Sequence, residues 1–440
     1  MTKVRQVLLC KVCVVLIVAL PLVAGPFPPP GFYKYGGGGG VEWISLGSAY
    51  VDNETSNDAV ALLSPVWIGN KVKQRPIQAW ASRDNDSNAS AVMVSYFDGT
   101  KLRGVYNATL PDTIFSSLIN DAKDVRIRAR NDHVVVSWLQ QEGSFWVVYA
   151  MQATLYGWRD LAGTGTYPTR VTVGWTQTVS SFDMELNPET GDPGFVWVFQ
   201  YIGGPREVHF AYWANGQINT LATGATSKLY DASGEYYQLL GVALAYDPMP
   251  DAGMHDPHIL IAGETAPGSP RLVRHPYYKN GTGWLWGSDI PASCTGWINA
   301  DFSSGFLMAT GQSVDAQAGQ YVWFGSMAAG GTWSAAALDS LDAVFPSLAT
   351  TQNGKVELVY FDTTDPDPDK ANEIRCAEKQ PGKAWGRVGY PGTAFSVVTN
   401  NNLTETYPAV TLNKVNKPVV VWTKYLNGGG SIVEGAMHQY

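Results

Sequence analysis

Residues 320–333 read QYVWFGSMAAGGTW: an apolar, aromatic-rich run, a glycine turn and a tryptophan. The ending recurs. Gly281-Thr282-Gly283-Trp284, Gly330-Gly331-Thr332-Trp333 and Gly382-Lys383-Ala384-Trp385 share one G-x-x-W pattern. A strongly apolar strand precedes each repeat's third strand, and seven such strands can be picked out. They are VMVSY from Val92, VVVSW from Val134, FVWVF from Phe195, ILIA from Ile259, FLMAT from Phe306, VELVYF from Val356 and VVVW from Val419. Their starts are 42, 61, 64, 47, 50 and 63 residues apart. Another short strand and a turn come before them, as in RPIQAWASRDN from Arg75, FPSLATTQNGK from Phe345 and YPAVTLNKVNK from Tyr407. A third strand follows, as in WVVYAM from Trp146, REVHFAYW from Arg206 and NEIRCAEK from Asn372.

Three strands and a G-x-x-W strand make one four-stranded blade, and seven copies predict an all-β, seven-bladed β-propeller. The loose spacing also admits six or eight blades. The chain ends argue for a ring independently. The last repeat stops at its third strand, SIVEGAMHQY, and Gly40-Val41-Glu42-Trp43 is again G-x-x-W. Residues 41–50 are therefore expected to be the outer strand of the last blade, closing the ring and removing an unpaired edge.

Composition agrees. The 440 residues are 45% hydrophobic, 12% aromatic and 15% charged, the opposite of a disordered chain. Net charge is −8, with no dense basic run, which disfavours nucleic acid as a partner. A single long apolar stretch excludes a polytopic membrane protein. Lys3 and Arg5, the apolar run Val12–Leu20 and the small residues before Pro26 describe a secretory signal peptide over 1–25. The alternative is an uncleaved leader, the one expected membrane contact. Residues 26–40, PFPPPGFYKYGGGGG, read as a linker, and 41–440 as the propeller. Secretion or cell-surface display follows as an expectation. So do glycans on six sequons: Asn53, Asn85, Asn88, Asn107, Asn280 and Asn402. Beyond the leader the chain keeps two cysteines, Cys294 and Cys376, expected to pair in an oxidising compartment.

Ser326-Met327-Ala328-Ala329-Gly330-Gly331-Thr332-Trp333 resembles the Asp-box, S-x-D-x-G-x-T-W, of sialidase-like secreted propellers, with Ala328 where the box has its Asp. The resemblance implies the fold and a structural role for the tryptophan, packed between blades. It does not imply activity. Sialidase chemistry needs three convergent arginines. Arg126, Arg128 and Arg130 crowd one inner strand, and the inner strands near Leu239, Trp297, Phe345 and Tyr407 carry none. A convergent triad is hard to assemble from these.

Other constellations are weak. His255-Asp256-Pro257-His258 lacks established zinc spacing, and no cofactor motif is found. The alternating Asp362, Asp365, Asp367 and Asp369 offer oxygen ligands to Ca²⁺, though a solvated turn is the simpler reading. The recognition face is expected where loops join second to third strands. Those loops carry Asp98, Gln140, Gln141, Tyr201, Arg206, Glu264, Asp315, Asp362, Asp365 and Tyr425. Tyr201, Arg206, Glu264, Asp315, Asp362 and Tyr425 are the candidate binding residues, because they combine aromatic faces with hydrogen-bonding groups. The expected function is noncatalytic binding of a glycan or a cell-surface protein. The alternatives are a polysaccharide-acting enzyme, which needs clustered carboxylates at the mouth, and a subunit of a surface layer or filament.

Overall fold

The structure is a computed structural model. It describes residues 43–438 apart from 52–55, 62–75, 84–88, 99–101, 108, 131–132, 173–177, 201–205, 222–226, 249–255, 280–281, 316–318, 329–330, 340–342, 364–372, 394, 400–404, 414 and 426–430. No helix occurs among these residues. Seven antiparallel sheets form seven blades. Their first, innermost strands are Ser56–Ala61, Ala122–Arg130, Val179–Leu186, Gln238–Tyr246, Ile298–Ser303, Ala343–Thr350 and Glu405–Leu412, for blades I to VII in order. Each packs against the next, and Ser56–Ala61 packs against both Ala122–Arg130 and Glu405–Leu412, so the ring is closed around a central channel.

Closure follows the expected route. Trp43–Val51 pairs antiparallel with Ser431–His438 as the outer strand of blade VII, with Trp43 opposite His438 and Val51 opposite Ser431. Trp43 is 2% exposed and meets the His438 ring edge-on at 5.3 Å.

The hydrophobic core is a set of wedges between blades. One wedge joins Ile77, Val92 and Val94 of blade I to Val134, Val136 and Trp138 of blade II. Another joins Trp43 and Val420 of blade VII to Ile374, Cys376 and Val388 of blade VI. The second strands lie between two neighbours and are apolar on both faces, as in Val356–Asp362, buried throughout. This explains why the sequence shows them as continuous rather than alternating apolar runs.

Blade I differs from expectation by one strand. Pro76–Arg83 is its second strand and Ser90–Phe97 its third, with Ser56–Ala61 innermost. Both Pro76–Arg83 and Ser90–Phe97 carry mostly buried residues, whereas the inner strand SNDAVA is short and barely apolar. The apolar signal therefore selected the wrong member of the blade. Asp98 consequently lies in the turn after the third strand, on the opposite face from the expected loops, where it pairs with Arg103.

The cysteines are corrected as well. Cys294 and Cys376 are free thiols, buried in separate wedges, the first between blades IV and V and the second between VI and VII. Each donates locally, Cys294 to the Trp297 carbonyl at 3.4 Å and Cys376 to the Glu357 carboxylate at 3.8 Å.

Candidate functional site

In an antiparallel meander the start of each first strand and the second-to-third turn share one face, the mouth. At the mouth the inner strands break register. In blade II Asp124 and Val125 stand opposite Trp138 alone. In blade VI Phe345 and Pro346 stand opposite Tyr360, and in blade VII Tyr407 and Pro408 stand opposite Trp422. These are β-bulges, which bend a strand and re-aim side chains. The first residue of each bulge has positive φ: 51° at Asp124, 53° at Phe345 and 49° at Tyr407. For residues with a Cβ this costs about 1–3 kcal/mol, and such strain gathers at functional positions. The Gln312 side chain helps hold Phe345 there by accepting from its N–H at 3.3 Å.

Two of the bulges set Phe345 and Tyr407 beside Trp297, making a cluster of three aromatic rings over the channel. Trp297, just before the inner strand of blade V, lies 5.1 Å from Phe345 and 5.6 Å from Tyr407, and Phe345 lies 4.6 Å from Tyr407. All three are half-buried. Beside them opens a cavity of about 200 Å³, lined by Asp124, Arg126, Ser181, Phe182, Gly241 and Trp297 among others. Glycine is required at 241, since a Cβ there would meet the Gly296 carbonyl at 2.0 Å. The Arg126 guanidinium sits over the Phe182 ring at 5.5 Å and pairs with Asp183 at 3.3 Å. Asp183 in turn accepts from the Leu244 N–H at 2.9 Å, tying blade III to blade IV.

Deeper in the channel several charged groups are held by partners. Arg128 pairs with Glu185 at 2.8 Å and reaches Asp183 at 3.6 Å. Asp301 accepts from the Thr350 hydroxyl at 2.7 Å and from the Phe302 N–H at 2.8 Å. Burial raises the Glu185 and Asp301 carboxyls above their ordinary range, against the pull of Arg128 and Arg130.

Apart from Asp98, the loop residues named from sequence that the structure describes lie at second-to-third turns around the rim. Arg206 lies over the Tyr237 ring at 5.9 Å. Glu264, on the second strand of blade IV, accepts from the Tyr237 N–H through its carbonyl. Asp315 ends the second strand of blade V, and Tyr425 is exposed at the end of that of blade VII. Gln140 is buried and accepts from Trp138 Nε1 at 3.4 Å, and Gln141 donates to the Gly143 carbonyl. Tyr201 lies outside the described residues. Asp362 is buried and pairs with Arg375 at 2.6 Å. Asp365, Asp367 and Asp369 lie outside the described residues, as do Asn53, Asn85, Asn88, Asn280 and Asn402. Asn107 is exposed, its side-chain Oδ1 accepting from the Thr109 and Leu110 N–H groups. His258 is part of a buried stack: its Nδ1 lies 2.9 Å from His275 Nε2, with Tyr277 and Phe302 against it. His255 is outside the described residues.

Trp297, Phe345 and Tyr407 mark the starts of inner strands in the sequence, but nothing in strand periodicity joins them. A usable signal exists: Phe345-Pro346 and Tyr407-Pro408 open successive inner strands with an aromatic–proline pair.

No protein-family model and no curated protein matches the chain. Solved structures with a similar course include the NanB sialidase of Streptococcus pneumoniae, at 10% identity and TM-score 0.42, covering 89% of this chain and 70% of that one. Trypanosoma rangeli sialidase in complex with sialic acid gives 10% and 0.44, over 90% and 59%. A variant of the Aleuria aurantia lectin in complex with α-methyl-L-fucoside gives 12% and 0.45, over 81% and 98%. At such identities and scores these likenesses carry no statement about ligand or activity.

Proposed function

We propose that this chain is an exported, noncatalytic glycan-recognition module that binds saccharide at the channel mouth. The supporting observation is the Trp297–Phe345–Tyr407 cluster, held by strained bulges beside Arg126 and Asp124. Aromatic faces stack on the C–H faces of sugar rings, and a few convergent polar groups fix the hydroxyls. The charged group and the serines of the adjoining cavity supply those polar contacts.

The enzymatic reading asks for carboxylates free to act at the mouth. The carboxylates that converge, Asp183 and Glu185, lie further along the channel and are engaged by arginines. That arrangement favours binding over hydrolysis.

A glycan array probed with the mature protein should return a defined saccharide class. Trp297→Ala should then weaken that ligand at least about tenfold, or ~1.4 kcal/mol, with an unchanged melting temperature. A silent array, or a well-folded Trp297→Ala variant with full affinity, overturns the reading. Turnover of the bound saccharide would move the assignment to the enzyme class. A solution mass well above one chain would favour the layer or filament reading.

A further inference from the structure

The end of the channel opposite the mouth holds a second, larger cavity of about 610 Å³. Its wall comes from the far ends of inner strands and the turns that follow them: Arg128 and Arg130 of blade II, Glu185 of III, Asn299 and Asp301 of V, and Asn413 of VII, among others. None of the mouth aromatics lines it. Its volume lies within the range that holds a drug-sized or monosaccharide ligand.

The charges around it are unevenly committed. Arg126 and Arg128 are neutralised by Asp183 and Glu185. Asp301 is occupied on both oxygens by the Thr350 hydroxyl and the Phe302 N–H. Arg130 is different. It lies close enough to Glu185 and Asp301 to pull on their protons, yet it forms no hydrogen bond or ion pair among the described residues. A half-buried guanidinium presents a planar fork of donors that matches a carboxylate or sulfate. The rest of the wall is rich in amides and hydroxyls, including Asn299, Thr411 and Asn413, which can both give to and take from a polyol. Among the described residues of this lining there is no aromatic side chain to stack on a heterocycle.

We propose that this far cavity is a second binding site, taking an acidic saccharide unit whose carboxylate or sulfate is held by Arg130. It is independent of the mouth, and it puts anion recognition on the face that carries the first-to-second-strand turns.

The test is titration calorimetry of the full chain with D-glucuronate, D-glucose 6-sulfate and D-glucose. The wild type should bind at least one of the two acids, at least tenfold more tightly than glucose. The sulfate and carboxylate arms tell which acid group is preferred. Arg130→Gln should weaken the acid at least tenfold, whereas Trp297→Ala should leave it unchanged. Should Arg130→Gln fail to fold, Asn413→Asp decides. It keeps the side-chain oxygen that accepts from the Val415 and Lys417 N–H groups while adding a negative charge to the wall, and it should weaken the acid without touching the melting temperature. Three results each overturn the proposal: no acid binding by the wild type, full acid affinity in a folded Arg130→Gln variant or, where that does not fold, in Asn413→Asp, or loss of the acid in Trp297→Ala. The last would place the anion at the mouth and leave the mouth reading standing.

Discussion

At the scale of single residues, the G-x-x-W tryptophans resolve into two kinds of joint. Each touches the preceding blade: Trp284 meets Phe210, Trp333 meets His275 and Trp385 meets Phe324, with ring centroids 5.0–5.6 Å apart. The structural role expected of them is what the contacts describe. Burial differs, however. Trp333 is 7% exposed, whereas Trp284 and Trp385 are half-buried. Trp333→Ala should therefore cost about 3–5 kcal/mol by leaving a cavity, and Trp385→Ala clearly less, as read from denaturant midpoints. Equal losses would mean that the turn, rather than the wedge, sets the energy. The sequence made these positions legible because a repeated turn repeats its chemistry. It did not make Trp297, Phe345 and Tyr407 legible as a cluster, since a bulge depends on the partner strand as much as on its own. There one residue of the facing second strand, Tyr360 or Trp422, stands opposite two of the inner strand.

At the scale of elements, the outer strand Trp43–Val51 matters most. Its eight paired positions run from Trp43–His438 to Val51–Ser431. Removing residues 26–50 should lower the melting temperature of the whole ring by many degrees, because blade VII loses its outer edge and Trp43 leaves the wedge between VI and VII. Removing only 26–35 should leave it unchanged. Identical melting of the two truncations would contradict the closure. Closure could be read from sequence because a deficit at one end matched a surplus at the other. Blade I could not, because its inner strand SNDAVA has no apolar run or turn motif to set it apart from a loop, and three strands were spread over two expected places.

For the whole molecule, the buried histidines make acid a sensitive direction. Burial holds the imidazoles of His209, His275 and His438 down at about 4, and that of His258 well below its ordinary value. The unfolded chain takes up these protons below about pH 6.5, before the folded chain does, so this stabilisation is complete above 6.5 and is lost as pH falls towards 4. His438 isolates the effect. Neither ring nitrogen has a hydrogen-bond partner among the described residues, and the ring meets Trp43 edge-on. His438→Phe should melt like the wild type at pH 7.5 and show a shallower fall in melting temperature between pH 6.5 and 4. A parallel fall in both proteins would remove His438 from the acid response. The seam has one more consequence, in time rather than in energy. Trp43 must wait for His438, 395 positions later, before its strand has a partner. Lengthening a loop adds cost only logarithmically at equilibrium, but contacts this distant form late. During synthesis Trp43–Val51 thus has no ladder partner until Ser431–His438 emerges. A circular permutant that joins 438 to 43 and opens the ring in another turn would make that hairpin local, and should refold faster with less loss to aggregation.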